Sequence, residues 1–437
     1  MISITSTDFL RKTAGTIVFI SIIGFVSWNH AENHKVKTTN TPSDFQWEYA
    51  TPESRGMSSK KLDSMRNVLA EKGTKKLLII KNDKIVYEWF SPGWEDSVKK
   101  HSTASLAKAV VSGMSLLAAL DDGYIHPDEP ACNFIPSWKK DEIKSKITIR
   151  QLATHTSGIE DAEASEKEKA EMERKKLDRH FGIPGWKGQF WRKEPDPFSL
   201  ARDSAQVIFT PGTKYVYSNP GIAMLTYAVT SSLKGSKYED IRTYLKERIY
   251  EPIGIEEKDY TIGYGKTYEL DGLKLVPGWG GGNFTAKAIA KIGLLMLHKG
   301  NWQGGQIIDS LNVKKVTSYA GTAMPATSCE EKIPNSDTRT KNNPQPATTA
   351  GWYSNFDGVW GSVPRDAFVG GGAGNQHLMV IPSLNMVIVR MGNNLYDESK
   401  GEGFWLGAEK YLFNPIMDAI EEPPYPESGL SAELPKK

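Results

Sequence analysis

Ser105 and Lys108 stand three residues apart in KHSTASLAK, where small polar residues give way to the apolar run AVVSGMSLLAAL. A serine hydroxyl attacks a carbonyl only when a base takes its proton and donors hold the oxyanion that forms. The first turn of a helix offers both: backbone N–H groups point toward the developing charge, and a lysine one turn on lies on the same face. Spacing alone decides nothing, because Ser58, Ser97, Ser137 and Ser231 also precede a lysine by three residues. Ser58 and Ser97 lie in charged surface sequence, Ser137 follows Pro136 in a loop, and Ser231 nears a helix end before Gly235. Ser105 opens a long apolar helix in which Lys108 is out of place unless it has a partner. Ser102 and Thr103 are good helix caps, so a structural reading of the stretch stands beside the reactive one.

A lysine-assisted serine needs a further proton-handling group and an amide to hold the network. Tyr217-Ser218-Asn219 supplies both in PGTKYVYSNPGIAML, after a Pro-Gly turn and before an apolar helix. The tripeptide recurs at Tyr353-Ser354-Asn355 in TAGWYSNFDGVWG. That copy reads as a strand, whose alternate residues point to opposite faces, so Tyr217 and Asn219 are the expected partners of Ser105 and Lys108.

These groups need a frame. KKLLIIKNDKIVYEWF (75–90) is two apolar runs around Lys81-Asn82-Asp83-Lys84, a β-hairpin pattern. KITIRQLATHTSGIED suggests a short strand or turn entering a helix that ends near Ser157-Gly158. The charged stretch from Glu160 reads as a solvated helix with i,i+4 pairs. Phe181, Trp186, Phe190 and Trp191 follow on a Gly/Pro-containing loop that either packs or lines a pocket. FTAKAIAKIGLLMLHKG (284–300) is a periodic helix, and HLMVIPSLNMVIVRMG (377–392) is a second hairpin. Strand signals at both ends and helices between give an α+β fold: an antiparallel sheet from N- and C-terminal strands, flanked by helices, with a mainly helical insertion at about 125–275.

The 437 residues carry interleaved charge with a net of +2, which gives no reason to expect nucleic acid. Arg11 and Lys12 followed by AGTIVFISIIGFVSW read as an export signal or N-terminal membrane anchor over 1–31. A polar linker (32–48), the main domain (49–415) and a C-terminal tail (416–437) follow, and the protein is expected outside the cytoplasm. Cys132 and Cys329 are far apart, and nothing in the spacing pairs them. No metal-ligand spacing occurs among the eight histidines, so neither metal nor cofactor is expected.

The chain resembles the serine β-lactamase and penicillin-binding-protein superfamily. The likeness is greatest to the branch with class C β-lactamases, D-alanyl-D-alanine carboxypeptidases, esterases and 6-aminohexanoate-dimer hydrolases. It runs from about Glu53 to Phe413 through Ser105-Leu106-Ala107-Lys108, ITIRQLATHTSG, PGTKYVYSNPG, EPIGI, GGGNFTAKAIAKIGLLML and the final hairpin. The resemblance implies attack by Ser105, with Lys108 or Tyr217 as base and Asn219 as orienting amide, giving an acyl-enzyme. The family's Lys-Thr-Gly or His-containing element is expected at Ala373-Gly374-Asn375, with the oxyanion held by N–H groups of Ser105 and Gln376. No Lys or His stands there. Gly374, Asn375, Trp186, Trp191, Trp279 and Asn283 are expected to border the substrate. The first expectation is an esterase or amidase on a small acyl compound. A DD-peptidase or β-lactamase, and a silent peptidoglycan- or protein-binding homologue, are the alternatives.

Overall fold

The computed structural model describes residues 45–178, 180–328 and 338–421. The expected signal or anchor, most of the linker, Cys329 and most of the tail lie outside the described residues.

Eight strands form one sheet in the order Glu48–Tyr49, Lys84–Phe90, Thr74–Lys81, Met386–Gly392, Gln376–Ile381, Phe368–Gly372, Tyr353–Ser354, Ala347–Thr348. Glu48–Tyr49 pairs parallel to its neighbour, and all other pairings are antiparallel. The first hairpin turns on Asn82 and Asp83, both at positive φ (49° and 63°). Such a two-residue turn matches the twist of antiparallel strands. The two chain ends meet in mid-sheet, where Ile388 lies opposite Ile79.

Both faces of the sheet are covered, which is why its central strands are apolar throughout rather than alternating. Leu78, Ile80, Leu378, Val380, Val387 and Val389 join the larger core, with the helices Met114–Asp121, Asn219–Ser232 and Ala286–Leu297. Leu77, Ile79, Met379, Ile381 and Ile388 face a second core, with the helix Ser59–Glu71 and the helical stretch 404–418. Gly293 lets its helix lie against the sheet, since a Cβ there would stand 2.6 Å from Val387 and 2.8 Å from Leu378.

The architecture is the expected α+β one, with local differences. The helix after KITIR is Ile149–Ala153, started by a Thr148/Gln151 capping box. It stops well before Gly158, because His155 takes φ 59°. The aromatic stretch is not a loop: Gly185–Arg192 is a helix that begins behind Pro184 and buries Phe190. Packing starts inside the expected linker, where Phe45 meets Trp302 at 4.8 Å. It continues past residue 415, because Ile416 and Ala419 are fully buried and Glu421 N–H donates to Gly56 O at 2.9 Å.

Candidate active site

The chain enters the Ser105 segment by a strained route. Ala104 sits at φ 45°, a conformation that costs energy in a residue with a Cβ. A 3-10 turn (Ala104–Leu106) and a π-helical turn (Lys108–Gly113) lead into the α-helix Met114–Asp121. Thr103 does not cap this helix: its hydroxyl donates to Gly281 O at 2.6 Å, while Ser102 Oγ accepts from Ala104 N–H at 3.4 Å. The glycine-rich loop is laced to the same segment. Thr103 N–H donates to Gly282 O at 3.1 Å, and Ser112 Oγ donates to Gly278 O at 2.7 Å. Gly282 sits at φ 82°, where a Cβ would stand 2.4 Å from Thr261 O, so the close approach requires glycine.

Ser105, Lys108, Tyr217 and Asn219 come together. Lys108 is 3% exposed, and its Nζ lies 3.1 Å from Ser105 Oγ, 2.7 Å from Asn219 Oδ1 and 2.6 Å from Trp279 O. Tyr217 O–H donates to Ser105 Oγ at 2.9 Å. Asn219 begins the helix Asn219–Ser232, capped by Ser218 Oγ on Gly221 N–H at 2.9 Å. In the second Tyr-Ser-Asn the asparagine is used structurally, while Tyr353 adds to the upward push of burial on the Tyr217 phenol. Asn355 is fully buried, with its amide on the carbonyls of Trp360 and Val363, and the Tyr353 ring packs on Trp405.

Two further groups belong to this cluster. Asp161, 3% exposed, accepts at Oδ1 from Asn219 N–H (2.8 Å), Asn219 Nδ2 (3.0 Å) and Ala162 N–H (2.8 Å). The His155 ring stacks on Tyr217 at 4.7 Å. Its Nδ1 accepts from Ser218 N–H at 3.1 Å, which puts its proton on Nε2. THTSGIED reads as a helix end, and no spacing links it to partners 58 to 63 residues away. Burial, helped by the Lys108 charge, holds His155 neutral, with a pKa of about 3. Burial also pulls the Lys108 ammonium well below its usual range, against the opposing carboxylates of Asp161 and Glu163. The same burial pushes the Tyr217 phenol far above its ordinary value.

The strand beside Ser105 corrects one expectation. Gly372 is the residue packed on the Ser105 turn: a Cβ there would stand 2.4 Å from Thr103 O, 2.6 Å from Leu106 N and 3.0 Å from Ser105 N. The element beside the serine is therefore Gly370-Gly371-Gly372, and Ala373-Gly374-Asn375 is the turn that follows it. Gln376 lies one strand further in, paired with Gly372. Its side chain bonds Ala373 O, Gly392 O and Gly392 N–H at 3.0, 2.6 and 2.9 Å. Asn375 is fully buried and braces the turn, bonding Phe404 O at 2.9 Å and Leu395 N–H at 2.8 Å. Gly374 makes the bend at φ 83°.

The free edge of this strand follows from alternation. Asn355 N–H donates to Ala367 O at 2.9 Å, so Ala367 turns its backbone groups toward Tyr353–Ser354. Val369, Gly371 and Ala373 turn the same way. That neighbouring strand pairs only as far as Val369, which leaves Gly371 beyond it on the same edge, with Ala373 where the strand passes into the turn.

The remaining predicted residues are scattered. Trp279 is 1% exposed; its ring packs on Phe190 and Phe198, and its carbonyl is the part that reaches Lys108. Trp191 donates to Ala162 O at 3.0 Å, bracing the Asp161 loop. Trp186 is half-buried against the larger core. Asn283 is exposed and paired with Ser102 across a short ladder.

Known proteins share this architecture. A family profile described as Beta-lactamase matches residues 75–411. An Escherichia coli (strain K12) protein provisionally named D-alanyl-D-alanine carboxypeptidase is 24% identical over 230 residues, 47% of this chain and 48% of its own. The chain thus spans about half the length of that curated relative. Among solved structures, a Bacillus anthracis protein provisionally named a 6-aminohexanoate-dimer hydrolase matches with a TM-score of 0.60. It is 19% identical, over 86% of this chain and 87% of its own. A family VIII carboxylesterase matches with a TM-score of 0.56 at 16% identity, over 85% and 99% of the two chains. At these identities the structural matches speak for the fold.

Proposed function

The chain belongs to the beta-lactamase family, and on that premise we propose that it is a serine hydrolase cleaving an ester or amide through an acyl-enzyme on Ser105. The observation that carries this reading is the set of partners around Lys108. Two of them, Asn219 Oδ1 and Trp279 O, are carbonyl oxygens that only accept. The third, Ser105 Oγ, already takes the Tyr217 hydroxyl proton. The three acceptors match the three N–H donors of an ammonium, with Lys108 Nζ donating to Ser105 Oγ; loss of one proton leaves two donors for the carbonyls and a lone pair turned to the Ser105 hydroxyl. Burial favours that neutral form, and the raised phenol keeps Tyr217 protonated. On this reading Lys108, brought down to about 7, is the base and Tyr217 a donor.

Ser105 Oγ attacks the acyl carbon while its proton passes to Lys108 Nζ. The carbonyl oxygen becomes an oxyanion facing the N–H groups of Ser105 and Ala373, a revision of the Gln376 expectation. Collapse expels the alcohol or amine, which takes the proton back from Lys108, with the Tyr217 hydroxyl alongside. Water then attacks the acyl-enzyme with the same proton route, releasing the acid and restoring Ser105.

The substrate class follows from the strand. The direction a side chain at Gly370 would take is filled by Leu106 Cδ1 and Ala109 Cβ, 2.5 and 2.8 Å from an added Cβ. No cation projects from this element toward a substrate carboxylate. This supports an acyl compound without a carboxylate beside the scissile bond over a β-lactam or D-alanyl-D-alanine peptide. The N-terminal basic and apolar stretch makes export part of the same proposal. The test is hydrolysis of p-nitrophenyl esters and anilides by the wild type and Ser105→Ala, with a labelled penicillin alongside. Ester or anilide turnover lost in Ser105→Ala is expected. Turnover surviving that change, or covalent penicillin binding without ester turnover, contradicts the reading.

A further inference from the structure

Asp161 lies behind the reacting groups and touches none of them. By accepting both the main-chain N–H and the Nδ2 of Asn219, it allows that amide one orientation only. Its NH2 then faces the carboxylate and its oxygen faces Lys108 Nζ at 2.7 Å. The flipped amide would set oxygen against carboxylate. Hydrogen bonds thus run without a break from Asp161 through Asn219 and Lys108 to Ser105 Oγ.

We infer that Asp161 is a positioning residue for Lys108: it fixes the Asn219 amide and supplies the negative charge that sets how readily Lys108 takes up the serine proton. This inference rests on the acyl-enzyme reading above. Lys108 faces Ser105 on its own segment, Tyr217 and Asn219 from the next helix start, and the Trp279 carbonyl from the glycine-rich loop. His155, Asp161 and Glu163 complete its surroundings from the segment 155–163. Asp161 and Glu163 are the carboxyl groups among these. The Glu163 side chain is 30% exposed and lies 3.1 Å from His180 Nε2, so water and that partner weaken its field. Asp161 is shielded from water; burial, with the Glu163 charge beside it, raises its carboxyl to about 7, so it bears on Lys108 as a charge from about neutral pH upward.

The inference predicts a pH effect with a definite sign. Loss of the Asp161 charge makes the Lys108 ammonium less favourable, so neutral Lys108 persists to lower pH. The readout is the second-order rate at which an alkyl fluorophosphonate labels Ser105, measured against pH. In that reaction an O–P bond forms, fluoride leaves, and the serine proton goes to Lys108. In Asp161→Asn, of the same shape without the charge, the acid limb should move down by about one pH unit. In Asp161→Glu, which keeps the charge and disturbs the geometry, the rate falls and the limb stays. If Asp161→Asn does not yield folded protein, Asp161→Ser removes the same charge in a smaller side chain. An Asp161→Asn limb coincident with the wild type overturns the inference while the acyl-enzyme reading stands. A wild type labelled at another residue, or not labelled, overturns that reading and this inference with it.

Discussion

Gly372→Ala brings a methyl group against the nucleophile turn. Its Cβ would lie 2.4 Å from Thr103 O, 2.6 Å from Leu106 N and 3.0 Å from Ser105 N. All three are backbone atoms, so no side chain can rotate aside. Ordinary contact begins at 3.4 Å, so strand and turn must part by about 1 Å, a displacement that costs on the order of 100-fold in catalysis. The overpacking itself costs about 1–3 kcal/mol, and at about 2 cal/mol/K of unfolding entropy per residue each kcal/mol lowers Tm by only about 1–2 °C in a chain this long. We therefore expect kcat/KM for ester hydrolysis to fall about 100-fold, with Tm lower by only several degrees. Gly361→Ala, where nothing lies within 4 Å of the added Cβ, is the control and keeps both quantities. Wild-type kcat/KM in Gly372→Ala refutes the strand placement, as does an equal loss in Gly361→Ala.

Lys108→Met replaces the base by an apolar side chain of similar length; it should lower kcat/KM by about 10²–10⁴-fold with Tm held or raised, and retained turnover would remove Lys108 from the mechanism. Asp96 pairs with the fully buried Lys76 at 2.5 Å and accepts from Ala286 and Lys287 N–H at a helix start. Asp96→Ala strands that ammonium and should cost about 3–5 kcal/mol in urea unfolding, whereas a loss below about 1 kcal/mol would mean the pair is not closed to water. His155 and His377 are buried and neutral, held down mainly by burial to about 3. Unfolded, they titrate near 6.5. Between those values the unfolded chain binds more protons, so stability falls with pH below about 6.5, by up to about 1.4 kcal/mol per unit for each histidine. Urea midpoints at pH 7 and pH 5 check this, and equal midpoints would contradict it.

The parts legible in the sequence are those whose signal is local. The hairpins announced themselves by apolar runs around turn residues, and the helix Ala286–Leu297 by its period. Ser105, Lys108, Tyr217 and Asn219 carried their side-chain chemistry in short spacings. Asp161 and His155 gave no such sign, because only the fold brings them to Asn219 and Tyr217. Trp279 was read for its ring, yet its carbonyl meets Lys108, and a carbonyl carries no mark of residue type. GGGAGN offers almost no side chains to fix register, so the turn 373–375 was taken for the strand that precedes it. The helix Gly185–Arg192 was hidden by Pro184 and two glycines, and burial of Phe190 overrides their propensity.

The central claim is an acyl-enzyme on Ser105, and trapping it is the most direct measurement. The protein is mixed with a p-nitrophenyl ester and quenched in acid, and its intact mass and proteolytic peptides are determined by mass spectrometry. The account predicts a gain of one acyl group on the peptide carrying Ser105, absent from Ser105→Ala. An acyl group on any other residue, or its persistence in Ser105→Ala, would contradict the account.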